Sequence, residues 1–178
     1  MALKATIYKV DLQIADMDRQ YYQEHALTIA RHPSETDERM MVRVLAFARH
    51  ASEALVFSKG LWDVDEPDLW EKDLTGAIDL WVEVGQPDEK RLLKACGRAA
   101  RVVVYTYSST SHIWWSQIAG KIERARNLTV INLPSATSQA LSKQAQRTMQ
   151  LQCTIQDGQI WMNANDETVQ VDLTVLKG

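Results

Sequence analysis

Two carboxylates frame what this sequence could do chemically. Asp68 follows Pro67 in the acidic stretch Glu66-Pro67-Asp68-Leu69-Trp70, and fourteen residues separate it from Glu83 in Trp81-Val82-Glu83-Val84-Gly85. Ile78, Leu80 and Val82 alternate with Asp79, Trp81 and Glu83. That alternation predicts a strand with two unlike faces, with Glu83 late in it and Asp68 arriving from the loop before it. Acids aimed at one place repel each other, and the repulsion must be answered by a metal, a shared proton or basic partners. A hard divalent cation takes oxygen ligands of this kind; beside a phosphodiester it would neutralise charge and lower the pKa of an attacking water. Glu38, in the first helix, is a third carboxylate candidate. Read structurally instead, the same acids are edge and loop carboxylates bridged to Lys90, Lys94 or Arg91.

The elements that must hold these groups follow from periodicity. Thr6, Tyr8, Val10, Leu12 and Ile14 alternate with Ile7, Lys9, Asp11 and Gln13, Asp16-Met17-Asp18 turns the chain, and Tyr21–Arg31 reads as the returning strand. Ser34, with Asp37 three residues on, reads as the capped start of a helix over 35–50, whose apolar face is Met40, Met41, Val44, Leu45 and Ala48. Strands are predicted at 54–57 and 77–84, with room for a short one between. Pro87 suits the first position of a helix over 88–99, on which Lys90, Lys94 and Arg98 form one row. Strands at 102–106 and 128–133 flank a helix at 113–124, and Pro134-Ser135 opens another short helix. Met149, Leu151, Cys153 and Ile155 then alternate up to an Asp157-Gly158 hairpin turn. Val169, Val171, Leu173 and Val175 read as one closing strand. The expectation is a single α/β domain over 1–178, with a mixed central sheet flanked by helices and antiparallel β-ribbons added at both ends.

Composition narrows the function classes. A formal net charge of −3 argues against a DNA-coating protein, yet the charge is uneven. Residues 63–91 hold ten acids and three bases, whereas residues 92–126 hold six bases and one acid. An acidic cluster followed by a basic segment would set a metal beside a phosphate-binding surface; two solvated faces are the simpler reading. Apolar runs fall far short of the roughly 20 residues a membrane span needs, and Met1-Ala2-Leu3 leads directly into a strand pattern with no signal-peptide core. Cys96 and Cys153 stand alone, which suits a reducing cytoplasm. The four histidines show no metal spacing, and no acid completes a triad with the Ser108–His112 loop.

Pro67-Asp68, fourteen residues, then Glu83-Val84-Gly85 resembles the signature of the PD-(D/E)XK nucleases with its last residue altered. Trp81 to Arg91, Lys94-Ala95-Cys96-Gly97-Arg98, Arg31-His32-Pro33-Ser34-Glu35 and Thr6-Ile7-Tyr8-Lys9 resemble the YaeQ family of bacterial proteins, essentially end to end. That family is regarded as a divergent branch of the nuclease fold, so the resemblance implies a nuclease-like core over about 35–133, ordered helix, three strands, helix, strand. It implies Mg²⁺, or Mn²⁺ in its place, bound by Asp68, Glu83 and the Val84 carbonyl. The nuclease lysine belongs where Gly85 stands; Lys90, and after it Lys94, are the candidates to replace it in space. Gln86, Lys94 and Arg98, with Arg101, would meet a nucleic-acid substrate. Two functions follow as expectations: a divalent-metal-dependent nuclease acting on DNA or RNA, or a catalytically inactive nuclease-fold module that binds nucleic acid or a protein. No membrane partner is expected in either.

Overall fold

A computed structural model describes residues 4–178; the signal-peptide expectation for Met1-Ala2-Leu3 lies outside them. In chain order the elements are β1 (Thr6–Asp16), β2 (Tyr21–Arg31), α1 (Asp37–His50), β3 (Leu55–Phe57), β4 (Leu69–Lys72), β5 (Ile78–Val84), α2 (Glu89–Arg98) and β6 (Ala99–Tyr107). There follow α3 (Ser111–Ile118), β7 (Leu128–Leu133), α4 (Ser135–Ser142), β8 (Thr148–Gln156), β9 (Gln159–Ala164), β10 (Glu167–Val171) and β11 (Thr174–Lys177). Short 3-10 turns lie at Gly60–Trp62 and Ala119–Lys121. No helix among the described residues is long and apolar enough to cross a membrane.

The chain divides into two compact units, one of residues 1–49 and 136–172, the other of 50–135 and 173–178. The first carries a five-stranded sheet in the order β10-β9-β8-β1-β2. Tyr8, Val10, Leu12 and Ile14 of β1 are buried while the residues between them face outward, so alternation dictates which face meets the core. The expected terminal ribbons are therefore not additions to one central sheet. They join each other, β1 running parallel to β8 with Lys9 opposite Thr148 and Asp16 opposite Ile155. Asp18 clasps the two hairpin ends together: its carboxylate accepts the Asp157 and Gly158 N–H groups at 2.7 and 2.8 Å. Asp157 and Gly158 both have positive φ, the two-residue turn whose twist matches the strands it joins.

The start and the burial of α1 differ from expectation. Thr36 is the cap, its hydroxyl accepting the Arg39 N–H at 3.1 Å. A turn between His32 and Glu35 holds Ser34 against the His32 ring instead, and Asp37 pairs with Arg31. Every residue from Met40 to Ala48 is buried, not one face alone. The buried Arg43 among them is answered by Glu35 at 2.6 and 2.9 Å, and Arg39 reaches the same carboxylate at 2.6 Å. Burial also pushes the Cys153 thiol up to about 12, with the charge of Asp16 adding to it.

The second unit is a six-stranded sheet in the order β11-β7-β6-β5-β4-β3. β5, β6 and β7 are parallel, and β3, β4 and β11 are antiparallel to their neighbours. Parallel strands need crossovers, and α2 and α3 supply them. Leu92, Ala95, Trp114 and Ile118 from those helices pack with Trp81, Val102, Val104, Leu128 and Val130 of the strands. The helix expected at 113–124 stops at Ile118 and tightens into the 3-10 turn before Ile122. The expected closing strand is two strands in two sheets, parted at Asp172-Leu173, because alternation runs unbroken across that exchange.

The cap assignment is testable. Thr36→Ala should lower the free energy of unfolding by about 1 kcal/mol in urea titrations, and Ser34→Ala should leave it nearly unchanged; the reverse ranking would restore Ser34 as the cap.

Candidate carboxylate site

β4 lies antiparallel to β5 with Leu69 opposite Val82. Asp68, one residue before β4, continues that ladder: its N–H donates to the Val82 carbonyl at 3.0 Å, and its Oδ2 accepts the Val84 N–H at 2.8 Å. The carboxylate is thereby fixed against the end of β5 and only 2% exposed. The chain from Gly60 to Pro67 crosses this point as a strap. Gly60 has φ +52°, donates to the Pro67 carbonyl at 3.0 Å, and sits so close that a Cβ there would stand 2.8 Å from Asp68 Oδ1. Only glycine meets both demands.

Glu83 shares its face of β5 with Trp81, and this face is covered by α2. The carboxylate is 5% exposed. Its Oε1 accepts the Trp81 indole N–H at 2.9 Å and the Arg91 Nε–H at 2.9 Å, and Arg91 Nη2 stands 2.8 Å from it as the other arm of the ion pair. Among the described residues no donor reaches Oε2. Burial pushes the Glu83 carboxyl above its ordinary value; the Arg91 hydrogen bond pulls it back, and the charge of Asp68 pushes it up again. Burial and Asp68 together outweigh the arginine.

Arg91 reaches Glu83 because of how α2 begins. Asp88 caps the helix, accepting the Arg91 N–H at 2.8 Å, so the cap is Asp88 and Pro87 lies just outside. The guanidinium also donates to the Val64 carbonyl through Nη1 and to the Glu66 carbonyl at 2.9 Å through Nη2. One side chain thus joins β5, α2 and the strap. Farther along α2, Arg98 donates to the Asp65 carbonyl at 2.9 Å and lies 5.0 Å over the Trp81 ring, and Lys94 stands 3.6 Å from the Asp65 carboxylate. Strap and helix line an open hollow of about 240 Å³ bordered by Val64, Asp65, Trp81, Lys90, Lys94 and Arg98.

The structure thus brings Asp68, Val84 and Glu83 together at the end of β5. The helix residue on Glu83 is Arg91, one of the three bridging partners expected of a structural acid. Lys90 is exposed and lines the hollow, and Arg101 is exposed on β6. Gln86 donates to the Thr110 hydroxyl at 2.9 Å and the Ser108 hydroxyl at 3.4 Å. Glu38 belongs to the other compact unit, in the first turn of α1. Gly85 has φ +122° and donates to the Tyr105 carbonyl at 2.9 Å; a side chain there would meet no neighbour, but the backbone is one L-residues rarely adopt. Among the described residues no three His, Cys, Asp or Glu side chains are grouped to hold a metal ion. The alternation of β5 places Trp81 beside Glu83 and so signals the indole contact. Nothing local signals the strap carbonyls, which only the tertiary fold brings to Arg91.

Comparison with known proteins gives a consistent result. The model of the YaeQ protein family matches residues 1–173. The uncharacterized YaeQ protein of Escherichia coli (strain K12) is 48% identical, over 98% of this chain and 97% of its own length. That of Salmonella typhi is 47% identical over the same shares. The crystal structure of YaeQ from Xanthomonas axonopodis pv. citri superposes with a TM-score of 0.94 at 48% identity, covering 98% of this chain and 99% of that one. The Pseudomonas syringae YaeQ structure also gives 0.94, at 38% identity, covering 98% and 97%.

Two measurements probe the ion pair. Arg91→Ala strands a buried carboxylate and should cost about 3 kcal/mol in urea unfolding, the low end for a broken buried pair because Arg91 keeps some exposure. Glu83 binds its proton more tightly folded than unfolded, so its contribution is most favourable at acidic pH and is lost as pH rises through the raised folded pKa. The stability of the wild type relative to Glu83→Gln should therefore fall as pH climbs from below 4.5, the ordinary carboxyl value, into the weakly acidic range. A flat difference would show that the carboxyl is not perturbed.

Proposed function

The chain belongs to the YaeQ family, and from that premise we propose a nuclease-like fold whose carboxylate site is closed by Arg91, serving as a nucleic-acid-binding module and not as a phosphodiesterase. The observation that carries this reading is the Arg91 guanidinium: Nε and Nη2 on Glu83, Nη1 and Nη2 on the strap carbonyls. The element order α1-β3-β4-β5-α2-β6 supports the nuclease-like core, since it runs helix, three strands, helix, strand.

The residues do not fit a Mg²⁺ centre as they are arranged. Mg²⁺ demands near-octahedral oxygen coordination, whereas Glu83 Oε1 already takes two N–H groups with Arg91 Nη2 at 2.8 Å, and Arg91 already supplies the positive charge the acids require. Gly85 offers no ammonium, and its positive φ disfavours one. What remains is recognition. Lys90 and Lys94 are exposed beside the hollow over Trp81, placed to meet the phosphates of DNA or RNA, and Gln86 adds an amide at the neighbouring strand end. Binding of this kind is electrostatic and weakens steeply with salt.

Two observations favour the second reading, a divalent-metal-dependent nuclease with Lys90 beside the site: among the described residues no donor reaches Glu83 Oε2, and the charge of Asp68 raises the Glu83 pKa. Calorimetry with Mg²⁺ and Mn²⁺, with and without a short DNA duplex, separates the two on wild type and Glu83→Gln. The closed-site reading expects no metal heat at millimolar concentration and no cleavage of DNA or RNA. It also expects fluorescence anisotropy to detect nucleic-acid binding at low salt that Lys90→Ala/Lys94→Ala weakens several-fold. Metal binding lost in Glu83→Gln would overturn it in favour of the nuclease, and absence of nucleic-acid binding at low salt would remove the binding role.

A further inference from the structure

The five-stranded sheet of the first unit turns one face outward, and strand register arranges its side chains in rows. One row crosses all five strands as Glu24, Gln13, Gln152, Asn163 and Thr168. The row on one side of it is Asp11 and Gln150, with Asn165 beside them. The row on the other side is Tyr22, Ala15, Thr154, Trp161 and Gln170. Exposed sheet faces are ordinarily held in solution by mixed charges of both signs. Here the three rows contain primary amides, two carboxylates and no base; Lys9, one step beyond Asp11, is hydrogen-bonded to Thr28 at 2.8 Å.

The face is also concave. A hollow of about 320 Å³ is lined by Asp11, Gln13, Glu24, Gln150, Gln152 and Asn163. A second, of about 470 Å³, shares Gln13, Glu24 and Gln152 with it and runs over Ala15 and Thr154 to Tyr22. Ala15 and Thr154 lie between Tyr22 and the half-buried Trp161 in the same row. Tyr22 is 57% exposed, and three strand spacings separate it from Trp161, about 14 Å. Gln152 already donates to Gln13 at 3.0 Å, which holds the amides in fixed orientation across β1 and β8.

We infer that this face binds a neutral oligosaccharide. A sugar hydroxyl both donates and accepts, and so does a primary amide, while a carboxylate accepts from two hydroxyls at once. The carbon face of a pyranose is apolar and matches an aromatic ring with a polar edge, and the three strand spacings between positions 22 and 161 match the length of a few sugar units. Phosphorylated or sulfated ligands and nucleic acid are disfavoured, because Asp11 and Glu24 repel anions and no cation in these rows offsets them. The amides would satisfy a polar ligand without the desolvation penalty of a buried charge.

The test is a ¹H–¹⁵N NMR titration of the intact protein with maltotriose, cellotriose, xylotriose and N,N′,N″-triacetylchitotriose at millimolar concentration. One of these should shift the side-chain amide signals of Gln13, Gln152 and Asn163, with dissociation constants rising about tenfold, the equivalent of 1.4 kcal/mol, in Tyr22→Ala and in Gln152→Ala. Both positions are exposed, and the unchanged remainder of each spectrum reports that the variant is folded. No shift with any of the four sugars would overturn the inference. So would binding unaffected by both variants, or a response to a short DNA strand on this same face. Failure here leaves the α2 site untouched, since Lys90→Ala/Lys94→Ala tests residues of the other unit.

Discussion

A carboxylate buried on a sheet face must be paired or neutral, and Glu83 places that demand at the centre of the second unit. A desolvated ion costs several kcal/mol unless good geometry and further hydrogen bonds repay it. Glu83 obtains both from a single residue. Arg91 donates its Nε–H to it and brings Nη2 within 2.8 Å, and Trp81 adds a second donor to the same oxygen. The fork then continues to the Val64 and Glu66 carbonyls, so one neutralising charge also fixes the strap. Lysine could not do this, having a point charge and no planar fork. The Asp88 cap of α2, the crossing of the strap over Asp68 and the glycine at position 60 are all conditions for that one guanidinium to reach every acceptor.

The first unit answers a similar demand in the same way. Glu35 and Arg43 are both buried, and Arg39 closes the cluster. In each unit an acid that lies outside or at the end of an element is drawn to an arginine on a helix, Glu35 ahead of α1 and Glu83 near the end of β5. Such pairs are weak evidence for stability, because well-packed apolar residues often do as well. What they supply is geometry: the Glu35–Arg43 pair holds the segment leading into α1 against the helix, and the Glu83–Arg91 pair holds the strap against α2.

Much of this was legible in the residues, for identifiable reasons. The sequence placed β2 and β7 at their observed limits and carried β1 by its alternation to Ile14, two residues short of its end, because β1 buries one side and turns the other to water. Arg91 was legible only as one of three bases able to bridge Glu83; choosing it required knowing that Asp88 begins the helix. The parallel pairing of β1 with β8 was not legible, since its partners are about 140 residues apart and no local pattern records it. The break between β10 and β11 was hidden by an alternation that continues through it. The polar outer face of the first sheet read simply as the solvent side of strands, because its rows exist only once register is fixed.

Gly85 bears on the closed site more deeply than a missing side chain would. In the nuclease pattern that the chain resembles, the residue two positions after Glu83 is a lysine on the same strand face. Here β5 ends at Val84, and the next residue leaves the strand with φ +122° while keeping a hydrogen bond to Tyr105. A lysine grafted onto that backbone would be strained and would not follow the direction of Glu83. Under the proposed nuclease-like reading, the absence of an ammonium at position 85 and the presence of Arg91 on Glu83 are linked physically. Without a cation from its own strand, Glu83 must draw one from the helix, and the helix residue that comes also binds the strap over the acid. The electrostatic demand of the carboxylate is met from the helix and not from its own strand, and the guanidinium that meets it also covers Glu83 with the strap.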